Sequence, residues 1–532
     1  ALFPMTSFVV VDDNIINEVG LGKTIQAGMY LRQAWLAEIA KRVLILAPKA
    51  ILKQWQIELR EKFNMNVPVY DGAKLSWYPS PALRGKHEKK VSRGDWHKEP
   101  IVIVSSQLMR RVDRAPEILE QADPWDLIFL DEAHHARRQS AGAAKEGPAN
   151  ALLRLMQRLK DRTGGLLLLT ATPMQVHPVE VWDLLNLLGL PREWNEKAFL
   201  DFFDTVEHPN PSHESFERAA RLFQSLEVHC GRLPDVDALR FGGLKSRLKT
   251  GRVLRALRDG SAIPRRQLEV EERGAAIRIM RVGSPVRKLV SRHTRDLLRR
   301  YYKAGKLTTP IADRDVSDRF IVLTDEERRI YHEVEDYISS TYNNASDKDK
   351  SAVGFVMTTY RRRLASSFHA LGHTLQAHLQ AVEGGGGLIP PIPEDDIPEE
   401  DEAADGMDEE KAADLMRQAL ALEEKGDIER LLSDIRRLPP DTKALVLKKE
   451  LDALREEGYR QVMVFSQFTD TMDFLRDELC KAGGYRIMCF SGRGGEIMGI
   501  DGTWRIISRD DIKRRFKGGE AAVLLCSEAA AE

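Results

Sequence analysis

Four short, unbroken apolar runs near the start of the chain set its fold class. Val43-Leu44-Ile45-Leu46-Ala47 is followed by an amphipathic stretch from Ile51 to Phe63, and the pattern recurs at Ile101–Ser105, Leu127–Leu130 and Leu166–Leu169. A strand with one wet face alternates apolar and polar residues, whereas an unbroken run is a strand covered on both faces. Such runs, separated by helix-forming stretches, predict an α/β fold with a parallel sheet between helical layers. Ligands of such sheets collect at the C-terminal strand edge, and polar residues follow each run here.

The same rhythm returns from about residue 441. Helices are predicted at Thr442–Glu457, Phe468–Lys481 and Asp510–Lys517, and strands at Gln461–Phe465, Tyr485–Phe490 and Ala522–Cys526. Residues 196–383 are rich in Arg, Leu and Glu, carry few strand signals and read as mostly helical. The expected organisation is a first sheet lobe over 1–195, a helical insertion over 196–383, a Gly/Pro/acidic flexible linker over 384–411, a helical lead-in over 412–440, and a second sheet lobe over 441–532. Both ends read as cut: the chain begins at Ala1 and stops just after a predicted strand.

Composition narrows the class. No apolar run approaches the ~20 residues of a membrane helix, so no membrane partner is expected. The four scattered cysteines form no CxxC pair, which suits a reducing cytoplasm. The net charge of −1 hides a division. Residues 394–410 hold eleven carboxylates and no Lys or Arg, and the rest of the chain carries +10, which permits a polyanionic partner.

Two motifs carry chemistry. Asn17-Glu18-Val19-Gly20-Leu21-Gly22-Lys23-Thr24 stands before a predicted helix. Gly20 and Gly22 let the backbone approach phosphate oxygens, the helix N-terminus favours an anion, Lys23 would neutralise the terminal phosphates, and the Thr24 hydroxyl would hold Mg2+. Asn17 replaces the first glycine of the usual phosphate loop. A hundred residues on, Leu127–Leu130 runs into Asp131-Glu132-Ala133-His134. A carboxylate at a buried strand end needs a cation, and Mg2+ supplies one for Asp131, while Glu132 can polarise the attacking water. Lys23, Asp131 and Glu132 are the expected catalytic residues, with a nucleoside triphosphate and Mg2+ as cofactors. His134 is read either as coupling nucleotide state to Thr170 or Thr172, or as a packing residue.

These motifs, in order with Leu169-Thr170-Ala171-Thr172-Pro173, resemble the first lobe of a superfamily-two helicase-type motor. Pro173-Met174-Gln175, the stretch Val179 to Leu188, and Ala47-Pro48 with Gln54-Trp55 resemble the SWI/SNF family. So do Val464-Phe465-Ser466-Gln467-Phe468 and Phe490-Ser491-Gly492 in the second lobe. Arg292-His293-Thr294-Arg295 and Tyr360 to Ser367 are similar to its bacterial RapA-like branch. The resemblance implies two RecA-like lobes, an ATP hydrolase acting as a double-stranded DNA translocase, and coupling through His134, Thr170, Thr172 and Gln175. It also implies phosphate contacts from Lys49, Lys53, Gln54, Ser106, Gln107 and Arg110 in the first lobe, and from Ser466, Gln467, Ser491 and Arg493 in the second. Arg361, Arg362 and Arg363 fan around a helix, as a DNA contact or an internal brace.

Protein partners implied by the branch are RNA polymerase or the other subunits of a DISARM-type antiphage system, with a slight lean to defence on the long insert and acidic linker. The family's sixth motif, which brings arginines to the γ-phosphate, is absent, so the 1–532 chain is expected to bind ATP poorly and hydrolyse little. Two other classes stay open: an RNA helicase of the Asp-Glu-Ala-His type, and a non-catalytic scaffold gated by nucleotide.

Overall fold

A computed structural model of the chain describes residues 8–12, 23–138, 147–170, 177–293, 295–308, 316–344, 350–383, 425–439, 441–499 and 502–527. The acidic run at 394–410 and the Gly-rich stretch before it lie outside the described residues. Two compact units are present, Ala1–Asp313 and Arg314–Glu532.

The first unit is built on a nine-stranded sheet. Its strands are β1 (Phe8–Asp12), β2 (Val43–Ala47), β3 (Val69–Tyr70), β4 (Lys74–Ser76), β5 (Glu88–Lys90), β6 (Ile101–Ser105), β7 (Leu127–Leu130), β8 (Leu166–Thr170) and β9 (Val290–His293), in the order β5-β4-β3-β6-β2-β7-β8-β1-β9. Pairing is parallel from β3 to β9, with Val43 opposite both Ile101 and Leu127 and Leu130 opposite Leu168. The β3–β4 and β4–β5 pairings are antiparallel, so β4 alone runs against the other strands. The four apolar runs are the central strands, as expected.

Their residues divide by parity. Leu44, Leu46, Val102, Val104, Ile128, Leu130 and Leu168 enter one core, and Val43, Ile45, Ala47, Ile101, Ile103, Phe129 and Leu169 enter the other. Period-two alternation with both faces apolar therefore gives two cores for one sheet. Helices α1 (Lys23–Leu36) and α2 (Leu52–Phe63) cover the second face. They pack so closely that a Cβ on Gly28 would lie 2.3 Å from the Phe63 ring.

The first face is covered by helices that include much of the predicted insertion. These are α3 (Ser106–Met109), α4 (Ala151–Leu159), α5 (Pro178–Leu187), α6 (Glu196–Glu207), α7 (His213–Cys230), α8 (Asp235–Gly242), α9 (Arg247–Arg258), α10 (Val270–Val282) and α11 (Pro285–Leu289); α12 (Arg295–Lys303) follows β9. Phe199, Phe216, Phe223, Leu257 and Met280 share a core with the sheet residues. Side-chain N-caps start several of them: Asn195 accepts from the Ala198 amide, Ser212 from Ser215 and Ser246 from Lys249. One difference from the sequence reading is β9. Val290–His293, within the segment read as helical, becomes an edge strand parallel to β1. Four residues carry too little periodicity to announce a strand, and the pairing exists only once the chain has returned to the sheet.

In the second unit, helices α13 (Asp325–Asn344), α14 (Lys350–Ser366), α15 (Phe368–Glu383) and α16 (Lys425–Arg437) share a core around Val334, Val356, Tyr360, Leu371 and Leu431. The sheet holds β10 (Val462–Ser466), β11 (Ile487–Ser491), β12 (Gly494–Met498), β13 (Trp504–Ile507) and β14 (Val523–Ser527), ordered β10-β14-β11-β12-β13. Its first three strands are parallel, and β12–β13 is an antiparallel hairpin that the sequence reading did not anticipate. Helices α17 (Thr442–Glu456) and α18 (Thr469–Ala482) cover one face, and α19 (Arg509–Lys517) the other. The bundle is pinned to this sheet by Arg363, which is 4% exposed, pairs with Asp470 and stacks over the Phe468 ring. Glu327, at the start of α13, accepts from the amide and hydroxyl of Thr442 at the start of α17.

Candidate functional site

The polar residues that follow β2, β6, β7 and β8 meet at the C-terminal edge of the first sheet. Asp131 prolongs β7: its amide donates to the Leu46 carbonyl at 2.8 Å. Its carboxylate is 4% exposed and accepts from the Trp55 indole N–H at 2.7 Å and from the Glu132 amide at 2.9 Å. Glu132 then takes a left-handed backbone conformation, with φ 47° and ψ 50°. A non-glycine residue there costs about 1–3 kcal/mol and persists only where its surroundings impose it. The turn aims the Glu132 carboxylate at the first residue of α1, where Lys23 Nζ lies 2.5 Å from Oε1.

The other Glu132 oxygen lies 3.3 Å from His134 Nδ1, and the same nitrogen lies 2.9 Å from Thr170 Oγ1 at the end of β8. Lys23, Glu132, His134 and Thr170 therefore form one connected polar chain, with Asp131 buried beside it. Burial, then the neighbouring charge of Glu132, pushes the Asp131 carboxyl up to about 6, against the pull of Lys23 and the Trp55 hydrogen bond. Burial, then the charges of His135, Lys23 and Arg137, drives His134 down to about 2, so its ring is neutral at physiological pH.

This donor set fits the expected cofactors. Asp131 has amide and indole partners but no ion-pair partner among the described residues, and a divalent ion held between it and the Thr24 hydroxyl would supply a cation in direct contact. Lys23 is already compensated by Glu132, so a phosphate must compete for it. Gly20, Gly22, Thr172 and Gln175 lie outside the described residues.

Two neighbours escaped the sequence reading. Trp55 was noted only for its resemblance, yet it holds Asp131 from α2. Arg138, six residues beyond Glu132, makes paired bonds of 3.0 Å to both oxygens of Asp183 in α5 and a 2.6 Å bond to Glu196. It also lies over the Trp182 ring at 5.2 Å. An Arg and an Asp 45 positions apart give no local signal of pairing.

The expected nucleic-acid residues are distributed unevenly. Lys49 and Lys53 are exposed. The Lys49 amide donates to Gln107 Oε1 at 3.0 Å, so the loops after β2 and β6 are joined. Gln54 donates to Glu58 within its own helix. Ser106 is buried and Arg110 half-buried. In the second unit, Ser466 and Gln467 are half-buried after β10, and Ser491 is buried, its hydroxyl accepting from the Arg493 amide. The Arg493 guanidinium is held by Asp473 at 2.8 and 3.0 Å. Arg361 pairs with Glu335, so it and Arg363 both serve the bundle.

With this geometry in hand, comparison with known proteins places the chain. The sequence model of the SNF2-related domain matches residues 15–367, and the chain belongs to that family. Curated relatives include the RNA polymerase-associated protein RapA of Cronobacter sakazakii, 35% identical over 193 residues, which are 36% of this chain and 18% of that one. RapA of Klebsiella pneumoniae is 34% identical over 193 residues, again 36% and 18% of the two chains. The matched stretch thus spans about a fifth of the curated relatives' length. Among solved structures, the Sulfolobus solfataricus SWI2/SNF2 ATPase core in complex with dsDNA aligns over 98% of this chain and 74% of its own, at 14% identity and a TM-score of 0.32. The Pyrococcus furiosus Hef helicase domain aligns over 98% and 83%, at 16% identity and a TM-score of 0.29. Among the described residues, no helix is long and apolar enough to cross a membrane.

Proposed function

We propose that this chain is the motor portion of an ATP-dependent double-stranded DNA translocase. The observation that carries the reading is the connected set Lys23–Glu132–His134–Thr170 beside buried Asp131, at the strand edge where α/β sheets bind ligands. Mg2+-bound ATP would supply the scissile phosphate and the charge that Asp131 lacks. Lys23 would leave Glu132 for the phosphates, which frees the Glu132 carboxylate to orient and polarise water. His134, held neutral, keeps its bond to Thr170 through the cycle and reports the position of Glu132 to β8. Lys49, Lys53, Gln54 and Gln107, at the same edge, would grip duplex phosphates and so position the chain without reading sequence.

The RapA relatives are named for their association with RNA polymerase, which favours action on polymerase complexes over phage defence. The test is ATP hydrolysis by the full-length protein with duplex DNA, single-stranded DNA or RNA added. Duplex DNA should stimulate turnover, and Glu132→Gln should remove about 10²-fold or more of the rate. Stimulation by RNA alone would move the protein to the RNA helicases, and none by any polymer would favour a nucleotide-gated scaffold.

A further inference from the structure

Residues 232–306 hold 21 Lys and Arg against 7 Asp and Glu, a net charge of +14 in a chain whose total is −1. Five of the seven carboxylates of this segment have partners within it. Glu269 and Glu271 hold Lys249 at 3.4 and 3.3 Å, and buried Glu272 lies 3.4 Å from Arg252. Asp235 lies 3.3 Å from Arg258, which is held more closely by Glu227, and Asp259 accepts from the amides of Ser261 and Ala262. Other cations are used inward: Arg265 bonds the Ala256 and Leu257 carbonyls, and Arg278 the Gly242 carbonyl.

What is left over is exposed. Arg232, Lys245, Arg247, Arg255, Arg266 and Arg287 all face solvent, and none has a carboxylate partner among the described residues. Arg247 and Arg255 stand at i and i+8 of α9, on one face, about 12 Å apart along the helix axis. Gly251 lies between them with nothing within 4 Å of where its Cβ would be, so the strip is open. Over that length one strand of a duplex presents about three or four phosphates. Lys245 and Arg247 flank the N-cap Ser246, where the helix dipole is already positive and no acidic residue fills the first turn. Concentrating like charge in this way is unfavourable for the isolated fold and favourable against a polyanion.

We propose that the exposed face of α8–α10 and its loops is a second nucleic-acid surface, which holds the phosphodiester backbone of duplex DNA independently of the nucleotide site. Arg287 stands apart on α11; of the five unpaired cations on α8–α10 and their loops, four are arginines, whose planar guanidinium matches phosphate oxygens two at a time. Because Val253, Leu257, Ala276 and Met280 share one core with the strands of the first sheet, DNA bound here is fixed to that unit. The surface then acts as an anchor, one that does not let go when the nucleotide state changes. The inference rests on the translocase reading for its choice of polymer, but not on hydrolysis.

The test compares the full chain with R247Q/R255Q/R266Q in binding a labelled DNA duplex across a salt series. The variant should bind at least about tenfold more weakly at moderate salt, with a slope of log affinity against log salt shallower by about 2–3. The charge-preserving R247K/R255K/R266K chain should recover both, which a merely misfolded surface would not do. Equal affinity and slope for wild type and the glutamine variant would overturn the surface and leave the motor reading standing. Loss of slope in a protein whose hydrolysis ignores DNA would keep the surface and sink the motor. A slope change seen with duplex RNA and not with DNA would overturn the choice of polymer.

Discussion

At the residue scale the site is decided by what surrounds Asp131. A buried carboxylate is tolerable only with donors or a cation, and its two donors come from different places: the Glu132 amide is adjacent in sequence, whereas the Trp55 indole arrives from α2. Trp55→Phe keeps the ring volume and removes the N–H. It should cost about 1–3 kcal/mol in denaturant unfolding of the nucleotide-free protein, because one carboxylate oxygen loses its donor in the interior. Added Mg2+ and ATP should recover part of that loss if Asp131 holds the metal, and no recovery would argue against that role. Asp131 and Glu132 were legible in the sequence because a polar pair straight after an apolar run is a local anomaly, and Lys23 because two closely spaced glycines precede it at a predicted helix start. Trp55 was not, since a tryptophan on an amphipathic helix looks like ordinary core until its N–H is seen to have a partner.

At the element scale, the position of Lys23 and Thr24 depends on how α1 lies on α2. Gly28 is the close-approach point, with the Phe63 ring where a Cβ would stand. Gly28→Ala must therefore move α1 or tilt Phe63. It should destabilise the first unit by about 1–3 kcal/mol and weaken nucleotide binding, measured by titration with a fluorescent ATP analogue. The double change Gly28→Ala with Phe63→Leu should restore affinity; if it does not, the defect lies elsewhere. The strands and most helices were legible because periodicity is a property of consecutive residues. β9 and the β12–β13 hairpin were not, being too short or too glycine-rich to show a period.

On the scale of the whole molecule, the two units have separate cores, and each should unfold as its own cooperative step, resolved as two transitions by calorimetry. His378 supplies a label for the second. It is 3% exposed, bonds the Tyr360 hydroxyl at 2.6 Å, and is driven down to about 4 by burial and then by the Arg363 charge. A depressed folded value means that stability is complete above the unfolded value of 6.5 and is lost as pH falls through 4. The loss amounts to roughly 3 kcal/mol. Between pH 6.5 and 4, the advantage of wild type over His378→Gln should shrink by about that much, in one transition only. A pH-independent difference would mean that the ring does not stay neutral in the fold.

The sequence by itself determined the parallel central strands of both sheets, the helices between them and the residues at the strand ends. Those depend on which consecutive side chains are apolar, and an unbroken apolar run has few ways to leave water. Tertiary structure alone decided how the helical segment divides, with α6–α11 sharing a core with the first sheet and α13–α15 joining the second unit. It also decided that Trp55 would hold Asp131, that Arg138 would find Asp183, and which arginines of 232–288 have no carboxylate partner among the described residues. A carboxylate can neutralise any cation it reaches, and reach is set by packing between residues tens of positions apart, where the sequence carries no period to read.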